Sequence, residues 1–197
     1  MVSVKVDSVD EVIWRRINRP HPSLRLSKVL DGILDFSRSY EGLLISETMH
    51  VHDVNTSVEY YRRVAEYLKD LSLRKAYISI PVRPPAEAFA KPPLEEEVIG
   101  AYKEFSKILG SEAVELLNMP EPPPTMVYGD PATWLLNMIS VHPLRIDYAV
   151  KVLRNVSDNP KKIIEELLEK KLVMRIQYEG NTYLLRNFKI DEHSQLA

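Results

Sequence analysis

Val2-Ser3-Val4-Lys5-Val6-Asp7 stands at the start of the chain. Its plan returns at Leu43-Leu44-Ile45, continuing through Val51, and at Ala76-Tyr77-Ile78-Ser79-Ile80, closed by Pro81. Each run is short, rich in apolar and β-branched residues and bounded by a breaker, which reads as a strand. Between the runs, apolar residues recur at helical spacing. Val9, Ile13, Trp14 and Ile17 make a short stripe ended by Arg19-Pro20; Leu26, Val29, Leu30, Ile33 and Leu34 make a second that stops before Gly42. Thr56 or Ser57 can cap a helix burying Val58, Tyr61, Val64, Ala65 and Leu68. A proline-rich stretch from Arg83 to Pro93 then leads to a helix with Val98, Tyr102, Phe105 and Leu109 on one face. Strands apolar on both sides, alternating with helices, predict an α/β fold with about three parallel strands joined by right-handed crossovers. Such a sheet leaves an apolar edge that must be covered, paired or charged. The expected cover is either an amino-terminal half in front of Met1 or a second copy of the chain.

The remainder of the chain has another character. Pro120-Glu121-Pro122-Pro123-Pro124 is stiff and extended by composition, which places a linker at 120–127 between a domain at 1–119 and one at 128–190, with a tail at 191–197. Asp130-Pro131 and Asn159-Pro160 each pair a capping side chain with a proline suited to the first helical position. They start helices using Trp134, Leu135, Met138 and Ile139, and Ile163, Ile164, Leu167 and Leu168. A helix using Ile146, Ala149, Val150 and Leu153 lies between them, after the break at His142-Pro143. Leu172–Tyr178, the turn Glu179-Gly180-Asn181 and Thr182–Arg186 read as a hairpin. Three short helices and a hairpin are the winged-helix plan. Its third helix sets Lys161, Lys162 and Lys170 against Glu165, Glu166 and Glu169. That balance suits a solvated or protein-contacting surface better than a groove-reading one, because phosphate neutralisation supplies most nucleic-acid affinity. Nucleic-acid or tRNA binding stays open as the less favoured use of this domain.

Composition removes several chemistries. The 197 residues contain no cysteine, so they supply no disulfide, thiolate nucleophile, zinc–thiolate site or cysteine-held iron–sulfur cluster. Glycine numbers only 6 and no glycine-rich phosphate loop is present, which excludes the P-loop and dinucleotide fingerprints. A formal charge of −2 gives no global attraction to phosphate or anionic membrane. No apolar run reaches the ~18 residues that span a bilayer, and no signal segment follows Met1, so a cytoplasmic protein without membrane contact is expected.

In parallel α/β proteins, functional side chains gather at the carboxyl ends of strands. Those ends offer Lys5 and Asp7, then Glu47, Met49 and His50, then Ser79 and Arg83. Two carboxylates and two cations around one pocket suit a charged, zwitterionic small molecule; satisfied ion pairs at the rim of a core are the alternative. Glu47 stands out, since a carboxylate in an apolar strand must pair or shift its pKa. His50 and His52, two apart, would share one side of a strand and with a third partner could ligate a metal, although no third histidine lies nearby; no metal site is expected. His142 reads as structural. Arg15, Arg16 and Arg19 can anchor a phosphate or form salt bridges, and the second fits the acidic helices better.

Order and spacing add a resemblance. Val4-Lys5-Val6-Asp7-Ser8-Val9-Asp10 followed by Trp14-Arg15-Arg16-Ile17-Asn18-Arg19-Pro20-His21-Pro22 resembles the fourth strand and following helix of a radical S-adenosylmethionine group. The group comprises archaeal and bacterial Fe–S oxidoreductases related to the tRNA wybutosine-synthesis radical enzymes. Ser46-Glu47-Thr48-Met49 with Asp53-Val54-Asn55 is similar to its fifth strand and loop, and Ile78 to Glu87 to its sixth strand and exit loop. Some members also end in a small winged-helix-like domain. The resemblance implies a partial (β/α) barrel, with Lys5, Asp7, Glu47 and Arg83 contacting S-adenosylmethionine. It also implies a [4Fe–4S] cluster on a three-cysteine loop after the first strand, whose reduction cleaves that cofactor to a 5′-deoxyadenosyl radical. The three-cysteine loop and the first three strands are absent from these residues, so no cofactor is expected on this chain alone and no radical catalysis from it. A truncated product, a split-gene product paired with an amino-terminal half, a surviving remnant that stands as an independent protein, and an interaction module are the alternatives this leaves.

Overall fold

The computed structural model describes residues 1–117 and 122–188. The chain divides into two compact units, Met1–Met119 and Pro120–Ala197. Pro120 and Glu121 of the expected linker and the whole expected tail at 191–197 lie outside the described residues.

In the first unit, β1 (Val2–Lys5), β2 (Leu44–Met49), β3 (Lys75–Ser79) and β4 (Val114–Leu117) form one parallel sheet in sequential order. The helices are α1 (Glu11–Asn18), α2 (Leu26–Ser39), α3 (Val58–Lys69) and α4 (Glu95–Leu109). Local chemistry sets their ends. The Asp10 carboxylate accepts from the Val12 and Ile13 amides at 3.0 and 3.1 Å, and Arg19 closes α1 in the left-handed region at φ 47° just before Pro20. Ser57 caps α3, and at the start of α4 the Glu97 carboxylate accepts from the Leu94 amide at 2.7 Å.

The fourth strand corrects the expectation of three. After Gly110, at φ 88°, a single 3-10 turn delivers Val114-Glu115-Leu116-Leu117 alongside β3. Only Val114 of these four residues is buried, so no alternation marked the strand; pairing with β3 creates it. A second correction concerns the faces. The strands were expected to be apolar on both sides, yet burial alternates along them, most clearly in β2. Val4, Val6, Ala76, Ile78 and Val114 share one face and pack on Tyr61, Val64, Ala65 and Leu68 of α3 and on Ala101 and Phe105 of α4. Leu30, Ile33 and Leu34 of α2 complete this core. The opposite face carries the row Lys5, Glu47, Tyr77 and Glu115, in register across all four strands and partly exposed throughout. β1, expected to be buried, is an edge strand of alternating exposure.

In the second unit, α5 (Pro131–Val141), β5 (Leu144–Arg145), α6 (Ile146–Leu153) and α7 (Pro160–Glu169) precede β6 (Val173–Tyr178) and β7 (Asn181–Arg186). The antiparallel sheet has the order β5-β7-β6. Asp130 caps α5 through the Thr133 amide and hydroxyl, both at 2.8 Å, and these bonds hold its carboxyl below the usual range. Glu179 and Gly180 turn the hairpin with φ of 46° and 72°, the left-handed pair that a two-residue turn requires. Leu135, Leu153, Ile164 and Leu184 are fully buried together. Two-residue β5 left no sequence signal of its own. Among the described residues, no helix is long and apolar enough to cross a membrane.

Phe105 is wholly buried at the centre of the first core and touches the His50 ring edge-on at 5.8 Å. Phe105→Ala is expected to destabilise the first unit by about 3–5 kcal/mol in chemical denaturation, through lost burial and a cavity.

Candidate ligand-binding site at the strand ends

β1, β2 and β3 run in the same direction and in register, so their last residues converge at one end of the sheet. Lys5 Nζ lies 3.3 Å from Asp7 Oδ1 and 3.3 Å from Glu47 Oε1. Ser79 on β3 donates its hydroxyl to the same Glu47 oxygen at 2.9 Å. Three of the four expected site residues thus meet, with Ser79 as a fourth member. Arg83 sits half-buried on the exit loop, four residues beyond β3. That loop is anchored at its far end, where Arg19 pairs with Glu87 at 2.7 Å and the Arg16 guanidinium stacks 4.8 Å from the Phe89 ring centre. Arg15 meanwhile pairs with Glu11 at 2.7 Å and donates to the Leu24 carbonyl. The arginines of this segment act as structural ties.

Asp7 and Glu47 have different parts. The Asp7 side chain is completely buried; it accepts from the Met49 amide at 2.8 Å and from the Asn18 side chain at 2.6 Å. It is therefore a clasp between β1, β2 and α1, with both oxygens committed. Glu47 keeps 38% of its side-chain surface open and Lys5 keeps 44%, and Oε2 of Glu47 has no hydrogen bond among the described residues. An open carboxylate oxygen next to a half-exposed ammonium can take complementary groups of a zwitterion or sugar hydroxyls. Further along the same face Lys75 pairs with Glu115 at 2.6 Å, and hydrogen bonds from Lys75 first and Tyr77 after it lower the Glu115 pKa.

One organising residue escaped a role at the sequence level. Asn55, buried in the loop after β2, donates to the carbonyls of Asp7 and Met49 at 3.0 and 2.9 Å and accepts from the Val51 amide at 2.7 Å. It serves three buried backbone groups at once, and only its place in the Asp53-Val54-Asn55 stretch pointed to it. Asn55→Ala is expected to cost about 3 kcal/mol or more in urea unfolding, because those groups lose their partners.

The two histidines do not form the shared ligand set that their spacing allowed, because β2 ends at Met49 before either of them. His50 turns inward, edge-on to Tyr61 at 4.9 Å, with Nδ1 3.3 Å from the Asn55 carbonyl and Nε2 buried without a partner among the described residues. His52 instead faces Glu97, Nδ1 to Oε2 at 2.8 Å, with Asp53 3.4 Å from Nε2. His52, Asp53 and Glu97 form a group close enough to hold an ion. The hydrogen bond that His52 donates to Glu97 raises its pKa, however, so the arrangement favours a proton on the ring. Burial pushes the Glu97 carboxyl up, but bonds from Thr56, His52 and the Leu94 amide outweigh it and leave the carboxyl lowered.

Burial lowers the His50 pKa from 6.5 to about 4, against smaller opposing effects of the Asn55 carbonyl and the Glu97 charge. Below pH 6.5 the unfolded chain gains a proton at His50 that the folded chain refuses until about pH 4. Stability is therefore complete above that window and falls through it, by roughly 3 kcal/mol from this group. His50→Leu should flatten that limb of the urea midpoint plotted against pH; parallel curves for the two proteins would exclude His50 as its source.

No family model matches this chain. It is 36% identical over 189 residues to a UPF0026 protein of Methanocaldococcus jannaschii, a match spanning 96% of this chain and 59% of that protein. A UPF0026 protein of Helicobacter pylori is 31% identical over 97 residues, spanning 49% of this chain and 30% of the relative. The chain thus spans 59% of the length of the first relative and 30% of the second, less than two thirds of either. Among solved structures it is similar to a radical SAM methyltransferase from Sphaerobacter thermophilus, at TM-score 0.43 and 16% identity over 59% of this chain and 33% of the other. A domain of pyruvate-formate lyase-activating enzyme from Bacteroides vulgatus gives TM-score 0.44 and 12% identity over 60% and 66%.

Proposed function

We propose that residues 1–119 are the carboxyl-terminal portion of a radical S-adenosylmethionine-type barrel, and that the second unit is a winged-helix domain that contacts a protein partner. The observation that carries the first part is the Lys5–Glu47–Ser79 cluster on the partly exposed face of the sheet, at the carboxyl ends of three parallel strands. In a closed barrel that face is the interior, and those ends are its functional rim. The donor set fits S-adenosylmethionine: Lys5 suits its carboxylate, the open Glu47 oxygen suits its ammonium or ribose hydroxyls, and Arg83 extends the rim. Asp7 holds the clasp beneath them. When bound with a reduced cluster, the cofactor supplies radical initiation. The residues do not fit the cluster itself, since none of the 197 is cysteine and its thiolates must come from outside them. An amino-terminal half carrying them, or a second copy of the chain, would cover the open face. Without such a half, this chain binds and orients but does not initiate chemistry.

The order of helices and strands in the second unit, with its β5-β7-β6 sheet, supports the winged-helix reading. α7 sets Lys161 and Lys162 against Glu165, Glu166 and Glu169, with Lys162 paired to Glu166 at 3.9 Å, and a helix without net positive charge favours protein over nucleic acid as its partner.

Calorimetric titration of S-adenosylmethionine tests the cofactor reading, with the chain alone and with a co-expressed amino-terminal segment carrying a Cys-x3-Cys-x2-Cys loop. Binding in the second case, weakened about tenfold by Glu47→Gln and by Lys5→Met, is the expected result. Heat signals at the baseline in both cases, or binding indifferent to both substitutions, would remove it.

A further inference from the structure

The second unit contains a groove of about 1000 Å³ between α6, α7 and the β6–β7 hairpin. Its floor is aliphatic: Ile146 and Val150 from α6, Ile164 from α7 and Ile176 from β6, the last 40% exposed. The rim is cationic. Lys151 projects from α6, Arg154 from its C-terminal cap, Lys161 from α7 and Arg175 from β6; all four are exposed, and none has a side-chain hydrogen bond or ion pair among the described residues. Two carboxylates share the lining. Asp147 is already neutralised by Arg145, with bonds of 3.0 and 2.8 Å, which leaves Glu165 alone against four unpaired cations. The net charge of the chain is −2, so this concentration of positive charge is a local feature.

An apolar floor inside a ring of cations is complementary to an amphipathic helix with acidic flanks. We propose that this groove receives such a helix from a partner protein, with apolar side chains on the isoleucine floor and carboxylates on the four rim cations. The floor argues against a nucleic-acid strand, which is gripped by phosphate contacts and by bases stacked on free aromatic faces. Tyr148, the aromatic residue of the lining, has one face taken by the Arg145 guanidinium at 4.4 Å from its ring centre. The assignment deepens the reading of the second unit as a protein-contact domain and is independent of the cofactor reading, so neither test decides the other.

Fluorescence anisotropy with the full chain tests it. The probe is a labelled peptide of about 18 residues with leucines at helical spacing and glutamates elsewhere on its surface. The controls are the same peptide with serine for leucine and a single-stranded RNA of similar charge. Expected are binding of the leucine peptide, at least about tenfold weaker binding of the serine peptide, and a similar loss for Lys151→Glu/Arg154→Glu and, from the opposite wall, for Arg175→Glu. Circular dichroism of the variants verifies the fold, and the serine peptide reads the floor without altering the protein. Absence of binding, equal binding of leucine and serine peptides, or indifference to both sets of reversals overturns the proposal. So does RNA binding tighter than the peptide's that the same reversals abolish.

Discussion

Sequential strand order in a parallel sheet is the constraint from which the first unit follows. Right-handed crossovers that always add the next strand on the same side place every connecting helix on one face. Here the order is β1-β2-β3-β4 without reversal, and α2, α3 and α4 share one core with Val4, Val6, Ala76, Ile78 and Val114. A doubly wound sheet reverses its order and buries both faces; here the face carrying Lys5, Glu47, Tyr77 and Glu115 stays partly exposed among the described residues. Polar residues tolerate that exposure where a row of valines and isoleucines would not. The candidate site is thus a consequence of topology before it is a matter of individual side chains.

Within that frame, Asp7 and Asn55 satisfy buried backbone groups at the strand ends. Asp7 binds a β2 amide and the α1 residue Asn18, while Asn55 binds the backbone of both strands. These bonds stiffen the rim on which Lys5 and Glu47 stand, so the two open groups are presented by rigid supports. The division of labour between two acidic residues, one committed and one open, comes from depth: the Asp7 side chain is fully buried and that of Glu47 is 38% exposed.

The second unit separates its charge from its packing in another way. Along α7 two lysines face three glutamates and Lys162 pairs with Glu166, whereas the groove beside it draws cations without ion pairs from α6 and its end, from β6, and from α7 at Lys161. A helix-by-helix charge count sees only the first arrangement. Convergence of Lys151, Arg154, Lys161 and Arg175 depends on the hairpin folding back beside the helices.

Much of the architecture was legible along the chain, because it rests on local chemistry. The caps at Asp130 and Asn159, the stop at Arg19-Pro20, the Glu179-Gly180 turn and the apolar stripes of α2 to α4 each act within a few residues, and a sequence displays such interactions directly. Lys5, Asp7 and Glu47 were legible as candidates because charged groups at apolar strand ends need partners. β4 and β5 were not, since Val114–Leu117 and Leu144–Arg145 become strands only through neighbours distant in sequence. Nor was the fate of His50 and His52, whose spacing suggested a shared face until the end of β2 turned one into the core and the other toward Glu97. The sequence by itself determined the helices, the strands other than β4 and β5, and which charges lie at strand ends. Tertiary structure alone decided which face stays open, which carboxylate is buried and which cations converge, because those depend on contacts between segments that the chain order keeps far apart.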